Sequence, residues 1–184
     1  MQLRYQYTLL NFNNNPKLSF LRNFSSGNLK YLHLSQTPVS VLNTGFFPSL
    51  VELDLSSARI TTGVDSLLRG APRTLERLSL RNVTTRPFNL GLLDALYNLV
   101  DLDLGSCSGV VFSNATNIPL FAKLKRLERL SLRALNLTSD LLERIFSFGL
   151  FKELRYLDLS RNRLERIADG QFTETERIVG VSRY

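Results

Sequence analysis

The chain has 184 residues, of which 43% are hydrophobic and 21% charged, and its formal net charge is +7. This balance is ordinary for a globular protein and excludes a disordered or collagen-like chain. No apolar run approaches the roughly 18 residues that a membrane-spanning helix requires, since even the run at 145–151 lies between Arg144 and Lys152. The first residues also lack the continuous apolar stretch of a signal peptide.

The positive charge comes from 18 arginines and 5 lysines, spread from Arg4 to Arg183. Because nucleic-acid-binding proteins concentrate basic residues on one face, this dispersion gives no specific nucleic-acid signal. Cys107 is the only cysteine and His33 the only histidine. The sequence can therefore form neither an internal disulfide nor a zinc site of the Cys/His kind, and we expect no metal and no cofactor.

A hexamer with apolar residues at its first, fourth and sixth places recurs along the chain. The seven copies begin at Tyr7, Leu29, Leu50, Leu75, Leu99, Leu127 and Leu154. Alternation at the fourth to sixth places is the period of a short β-strand that points its leucines to one side. A strand of this length cannot bury an apolar face alone, but stacked copies form a parallel sheet over one leucine core.

The segments between the hexamers supply the crossovers that parallel strands require, because successive copies start 21 to 28 residues apart. Gly45–Leu50 and Gly170–Phe172 are predicted to be short turns that bring an aromatic side chain to the core. Ser139–Gly149 is predicted to be a helix, with Ser139 as its cap, Asp140 in its first turn and the final glycine as its stop.

The copy at 154–167 reads LxxLxLxxNxL, with Asn162 at its ninth place and Phe172 following. This motif resembles the leucine-rich-repeat family, and the resemblance covers about residues 7–172. It implies an α/β solenoid, a curved leucine-rich-repeat array with a parallel β-sheet on the concave face and loops or short helices on the convex face. The unequal repeats and the phenylalanine spacing are most similar to an internal segment of a Toll-like receptor-type extracellular domain.

We expect residues 1–184 to form a single leucine-rich-repeat domain of about seven repeats. Extracellular arrays of this family commonly carry cysteine-rich caps, and this sequence has none, so the chain is expected to be a fragment without caps. The tail Thr173–Tyr184 loses the repeat pattern. The isolated chain should then be marginally stable or associate through its exposed ends.

The ninth place of each repeat usually holds a short polar residue in this family, because its side chain satisfies backbone groups of the turn. Here the ninth places hold Asn15, Thr37, Ala58, Val83, Cys107, Leu135 and Asn162. Repeats three, four and six, which have apolar ninth residues, are therefore expected to turn differently or to leave those backbone groups to water. The same ladder explains Cys107 as a structural residue and not a nucleophile.

The second, third and fifth places of each hexamer point away from the leucines, to the concave face. We select as candidate binding residues Tyr31, His33, Glu52, Asp54, Arg77, Asp101, Asp103, Arg129, Arg155, Tyr156 and Asp158. Acidic residues in repeats three, five and seven alternate with basic residues in repeats four and six, so neighbouring strands can form ion pairs of about 0.2–1 kcal/mol each. Glu52 with Arg77 and Asp101 with Arg129 are the predicted pairs.

The alternative to simple ion pairing is a mixed-charge docking surface for a protein or another macromolecular ligand, or for a receptor partner chain. Tyr31 and Tyr156 are its candidate anchors, because tyrosine is enriched at binding hot spots. Catalysis is not expected. Asp101 and Asp103 share one face at a spacing of about 7 Å, but the pattern implies no apolar pocket that would tune a carboxyl pKa.

Four sequons lie at Asn23, Asn82, Asn114 and Asn136. All fall in turn or returning segments, where a glycan would leave the concave strands free. This favours an extracellular or cell-surface ectodomain of a longer membrane protein, whereas the missing cysteine pairs favour the cytoplasm. The resemblance implies a protein- or ligand-binding scaffold of a receptor ectodomain in innate-immune signalling. The alternative is an intracellular adaptor, such as the substrate-recognition part of a ubiquitin ligase.

Overall fold

The computed structural model describes residues 6–21, 24–39, 42–112, 120–146, 151–167 and 180–182. Its main feature is a parallel sheet of eight strands in the order β1-β2-β3-β5-β7-β8-β9-β10. These strands are β1 (Leu9–Asn11), β2 (Tyr31–His33), β3 (Glu52–Asp54), β5 (Arg77–Ser79), β7 (Asp101–Asp103), β8 (Arg129–Ser131), β9 (Tyr156–Asp158) and β10 (Gly180–Ser182). The predicted parallel sheet of stacked hexamers is confirmed.

The third, fourth and fifth places of every hexamer form the strand, and equal places pair across the sheet from one repeat to the next. The fourth-place leucines from Leu32 to Leu157 are at most 2% exposed, while their third- and fifth-place neighbours are mostly half-buried. The first- and sixth-place leucines join the same core. One apolar stack therefore runs the length of the sheet, as the alternation predicts.

Within the described ranges, the returning segments contain short elements of three kinds. Two 3₁₀ helices lie at Thr44–Phe46 and Leu90–Ala95, and two α-helices at Val64–Leu68 (α1) and Ser139–Phe146 (α2). A second sheet pairs β4 (Arg59–Ile60) with β6 (Thr84–Thr85) in parallel. None of the helices in the described ranges combines the length and the hydropathy that a bilayer crossing requires.

The predicted turn at Gly45–Leu50 brings Phe47 into the core at 1% exposure, which confirms its aromatic role. The predicted turn at Gly170–Phe172 lies outside the described residues. Of the predicted helix, the structure describes 139–146, and residues 147–150 lie outside the described ranges.

The predicted cap of α2 is wrong by one residue. Thr138 Oγ1 accepts the N–H of Leu141 at 3.4 Å, which is the geometry of an N-terminal cap. Ser139 instead faces the next repeat: its hydroxyl donates to the Arg166 carbonyl at 2.8 Å and accepts the N–H groups of Glu165 and Arg166. The two adjacent hydroxyls are equivalent by sequence, and only the packing of the following repeat separates their roles.

The expectation that the chain loses its pattern after Phe172 is also wrong, because β10 adds an eighth strand that pairs with β9. Its register aligns Val181 with Leu157, a fourth-place leucine. If Val181 is the fourth place of an eighth hexamer, the sequence puts Ile178 at its first place and Arg183 at its sixth place. A search that requires three apolar residues misses this copy, because its sixth place is charged.

Every one of the seven repeats turns in the same way after its strand. The eighth-place residues have φ between 52° and 60°, in the left-handed region; they are Asn14, Gln36, Ser57, Asn82, Ser106, Ala134 and Arg161. In the first six repeats the N–H of this residue donates to the seventh-place carbonyl of the next repeat at 2.7–2.9 Å. The turn therefore continues the hydrogen-bond ladder of the sheet beyond the strands.

Repeats three, four and six were expected to turn differently or to leave backbone groups to water. The expectation of a different turn is wrong. The ninth-place N–H donates to the sixth-place carbonyl of its own repeat at 2.9 Å for Ala58 and 3.2 Å for Val83, as it does for Cys107 at 3.1 Å. In repeat six, the N–H of Leu135 donates to Asn162 Oδ1 of the next repeat at 2.9 Å. Backbone groups, and one polar side chain from a neighbour, replace the missing ninth-place side chains.

Asn162 occupies the ninth place that most resembles the family motif, and it joins two repeats. Its Oδ1 accepts the N–H groups of Leu135 and Leu137 at 2.9 and 3.1 Å. Its amide nitrogen donates to the carbonyls of Leu132 and Leu159 at 2.8 and 2.9 Å. The sequence interpretation of Asn162 as a turn-stabilising residue is confirmed.

The left-handed backbone conformation at the eighth place leads to a prediction for Ala134, which has a φ of 52°. A left-handed backbone costs an L-residue about 1–2 kcal/mol and glycine almost nothing. We expect Ala134→Gly to raise the free energy of unfolding by about 1 kcal/mol, as measured by urea denaturation. The matched control is Ala95→Gly at the exposed end of a 3₁₀ helix, which should lower stability by roughly 0.5–1 kcal/mol. Equal losses in both variants would show that the turn at Ala134 is not left-handed.

Candidate functional site

The predicted binding residues share one face of the sheet. The third-place row contains, from β2 to β9, Tyr31, Glu52, Arg77, Asp101, Arg129 and Tyr156. The fifth-place row contains the remaining predicted strand residues His33, Asp54, Asp103 and Asp158. Arg155 precedes β9 and pairs with Glu128 at 3.7 Å, from the equivalent place of the preceding repeat. We call the two rows together the concave face.

Both predicted cross-strand ion pairs are present. Arg77 Nε lies 2.7 Å from Glu52 Oε2, and Arg129 Nε lies 3.3 Å from Asp101 Oδ2. The same guanidinium groups reach the tyrosines at the two ends of the row. Arg129 Cζ is 4.4 Å from the ring centroid of Tyr156, within the range of a cation–π contact. At the other end, Arg77 Cζ is 6.0 Å from the ring centroid of Tyr31. The third-place row is thus a chain of alternating charges with an aromatic ring at each end.

Glu52 uses both carboxylate oxygens, because His33 Nε2 lies 2.8 Å from Oε1 while Arg77 binds Oε2. Burial on its own raises the pKa of Glu52, but the hydrogen bonds from Arg77 and His33 together outweigh it and hold that pKa below its ordinary value. The same bond raises the pKa of the Arg77 guanidinium. Glu52 therefore stays ionised between two donors.

Asp101 has the opposite balance. Burial raises its pKa, the ion pair with Arg129 lowers it, and the charge of Asp103 on the same strand raises it again, so that the net shift is upward. The surroundings of Glu52 therefore stabilise its charged form, whereas the surroundings of Asp101 destabilise its charged form.

The fifth-place aspartates have a structural role that the sequence interpretation missed. Asp54, Asp103 and Asp158 each accept, through Oδ1, the backbone N–H of the residue two places later, at 2.8, 2.8 and 2.9 Å. Asn11 makes the same contact at 3.0 Å in repeat one. The recurring Asp-Leu-Ser or Asp-Leu-Gly tripeptide is the sequence signal of this turn.

A cavity of about 230 Å³ opens on the concave face at β7 to β9. Three aspartates and three arginines line it, namely Asp101, Asp103, Asp158, Arg81, Arg129 and Arg133. Ser131 also lines the cavity and stands between Asp103 and Asp158 in the fifth-place row. Arg81 and Arg133 were not selected from the sequence, because they occupy the seventh place, beyond the strand.

The cysteine of the chain lies apart from this face. Cys107 is buried in the core, and burial raises the pKa of its thiol although the N–H groups of Gly109 and Val110 oppose that shift. Within the described ranges, no three or more His, Cys, Asp and Glu side chains are arranged to hold a metal ion.

Two of the four sequons fall within the described residues. Asn82 and Asn136 are exposed, and both have positive φ, at 54° and 57°. Asn82 donates through its side-chain amide to Ser57 Oγ at 3.1 Å. Both lie in the turns that follow the strands, off the concave face, as predicted. Asn23 and Asn114 lie outside the described residues.

Comparison with solved structures identifies the fold. An internalin from Listeria monocytogenes matches with a TM-score of 0.66 at 17% identity, over 96% of this chain and 47% of the internalin. The second match is the leucine-rich-repeat (LRR) ectodomain of the plant membrane receptor kinase GASSHO1/SCHENGEN3 from Arabidopsis thaliana, in complex with CASPARIAN STRIP INTEGRITY FACTOR 2. Its TM-score is 0.57 at 20% identity, over 86% of this chain and 21% of the ectodomain. An LRR protein from Leptospira interrogans matches with a TM-score of 0.56 at 18% identity, over 85% of this chain and 43% of that protein.

These matches and the ordered parallel sheet show that the chain adopts the leucine-rich-repeat fold, a curved α/β solenoid. The chain spans about half the length of this internalin and a smaller share of the other two proteins. No family model and no curated protein matches the sequence.

The opposite pKa shifts of Glu52 and Asp101 predict opposite pH dependences. Because the folded-state pKa of Glu52 is lowered, its charge stabilises the fold above the unfolded-state pKa, and this contribution is lost as the pH falls through the folded-state pKa. Because the folded-state pKa of Asp101 is raised, the wild-type side chain loses relative stability as the pH rises through that pKa.

We therefore expect Glu52→Gln to cost roughly 0.2–1 kcal/mol at pH 7 and progressively less as the pH falls toward 3. For Asp101→Asn the trend should be opposite: its free energy of unfolding, relative to that of the wild type, should increase as the pH rises. Urea denaturation of the three proteins across this range measures both trends. Difference curves that slope in the same direction would contradict the assigned shifts.

Proposed function

We propose that this chain is a protein-binding scaffold that acts through its concave face, within a secreted or cell-surface receptor ectodomain. The observation that carries the proposal is the contrast between the two sides of each strand. The inward places repeat leucine in almost every copy, whereas the third and fifth places vary although the backbone pairing is the same throughout. The sheet forms with different side chains at these outward places, so several of them are available for recognition.

The size and composition of the face favour a protein over a small molecule. Eight strands at about 4.8 Å between neighbours make a row of roughly 34 Å, a length that a protein segment can span and a small molecule cannot. Arginine and tyrosine, both enriched at interface hot spots, occupy four of the six third-place positions from β2 to β9. The fold also supports the proposal by analogy, because the plant receptor ectodomain was solved in complex with CASPARIAN STRIP INTEGRITY FACTOR 2.

Within that class, we assign the chain to a receptor in innate-immune signalling, as a single leucine-rich-repeat segment of a longer protein. The support is the resemblance to Toll-like receptor-type repeats, which rests on unequal repeat lengths and on the phenylalanine after the last leucine motif. The described α2, in one of the longer repeats, is compatible with this assignment and equally with an intracellular adaptor of the ubiquitin-ligase kind.

The compartment separates these two candidates. Asn82 and Asn136 are exposed in turns, where an attached glycan leaves the concave face open. After expression through a secretory pathway, a receptor segment should lose apparent mass on treatment with a glycosidase. Unmodified asparagines at all four sequons would favour the cytoplasmic adaptor.

The binding face itself can be tested by blocking it. Ser79 lies in the centre of the concave face, in β5, and Ser66 is exposed on α1. Each is replaced by cysteine and coupled to a polyethylene glycol chain, and the buried Cys107 should not react. The two conjugates are screened with the unmodified protein against a displayed library of extracellular domains.

We expect the block at Ser79 to weaken binding of the recovered partners at least tenfold, because it covers the face, and the block at Ser66 to leave binding unchanged. Partners that are lost with the Ser66 conjugate and retained with the Ser79 conjugate would assign recognition to the convex side. That result would overturn the proposal.

A further inference from the structure

The charge of two fifth-place aspartates is not explained by the turn that they support. Asp103 and Asp158 each give one oxygen to a backbone N–H, and Asn11 makes the same contact with an uncharged amide. The turn thus requires an oxygen atom and not a charge. In the described part of the chain, neither aspartate takes part in an ion pair.

Asp158 is the more buried of the two aspartates, with an exposure of only 9%. One of its oxygens accepts the N–H of Ser160 at 2.9 Å, and the other has no hydrogen-bond partner among the described residues. Because Asp158 lines the cavity, a cation that enters from outside can supply the missing partner.

The cavity gives such a cation room between two carboxylates. Asp103 and Asp158 stand on either side of Ser131 in the fifth-place row, at about 10 Å between their backbones. Serine is short, so the space above it stays open. The ammonium of a lysine or the guanidinium of an arginine would lie between both aspartates and next to Asp101, which also lines the cavity.

The rim of the cavity has the opposite charge. Arg81 and Arg133 occupy the seventh place in the repeats on either side of Gly105. Arg81 is exposed and forms no ion pair within the described ranges, and Arg133 donates to Ser160 Oγ at 3.2 Å. These guanidiniums repel a polycation and attract a carboxylate.

The two charged zones are two residues apart along the strands, about 7 Å, and their centres, at Ser131 and Gly105, are also one strand apart across the sheet, about 4.8 Å. The centres are thus roughly 8.5 Å apart. Alternate side chains on one face of an extended peptide are about 7 Å apart, and long, flexible side chains span the difference. We infer that this cavity binds an extended segment of a partner protein in which a basic side chain and an acidic side chain stand two residues apart. The base lies between Asp103 and Asp158, and the acid contacts Arg81 and Arg133. This inference rests on the proposed function of the concave face and names the recognition chemistry of its partner.

Four capped heptapeptides test the inference directly. The matching probe is Gly-Gly-Lys-Gly-Glu-Gly-Gly, and the spacing control, with the same composition, is Gly-Gly-Lys-Glu-Gly-Gly-Gly. In the other two, glutamine replaces either the lysine or the glutamate of the matching probe. Dissociation constants come from titrations of the ¹⁵N-labelled protein followed by nuclear magnetic resonance. We expect the matching probe to bind at least fivefold more tightly than each of the other three.

Variants of the protein assign the contacts. The double variant Asp103→Asn with Asp158→Asn should weaken the matching probe at least tenfold, and its amides can retain the turn contacts as Asn11 does. Asp65→Asn is the control, because Asp65 is an exposed carboxylate on α1 and does not line the cavity, and it should leave binding unchanged. Arg81→Gln should remove the preference for glutamate over glutamine.

Equal affinities for the matching probe and the spacing control would overturn the inference, as would the absence of any titration by the matching probe. Full affinity in the double aspartate variant would also overturn it. None of these outcomes would overturn the wider proposal, which fails only if whole partner proteins are insensitive to a block at Ser79.

Discussion

The structure depends on one repeated constraint, the left-handed turn at the eighth place of each repeat. This turn directs an N–H to the next repeat's carbonyl in the first six repeats, at 2.7–2.9 Å, whatever side chain it carries. Backbone groups alone thus keep the repeats in register beyond the strand ends. Leucines at the inward places then fill a single core, because equal places meet at every step along the sheet.

The same constraint explains why the outward face can vary. Since the backbone closes the turn, repeats three and four tolerate Ala58 and Val83 at the place where the family favours a polar residue. The concave face carries two separate arrangements. Around Glu52 the charges are paired and the pKa of the carboxyl is lowered. Around Asp158 a nearly buried carboxylate lines an open cavity. The first arrangement resembles structural ion pairing, and the second is the site that we infer to bind a segment of a partner protein.

Periodicity predicted the sheet, its core and the ion pair between Glu52 and Arg77, because strand register follows from spacing alone. It failed where three-dimensional context decides. The eighth strand, at Val181, was hidden by a charged sixth place. Arg81 and Arg133 were missed because the sequence pattern places a seventh-place side chain in a turn, whereas folding brings it to the rim of the cavity. No spacing rule separates a carboxylate that only completes a turn from one that also lines an open cavity.

The most direct test of this account is amide hydrogen exchange at the eighth-place residues. If the backbone ladder joins the repeats, Ser57, Asn82 and Ala134 should exchange as slowly as Gln36 and Ser106, because their N–H groups make the same bond. Slow exchange throughout this set is the predicted result. Fast exchange confined to Ser57, Asn82 and Ala134, whose repeats have an apolar ninth residue, would show that side chains and not the backbone hold the turns.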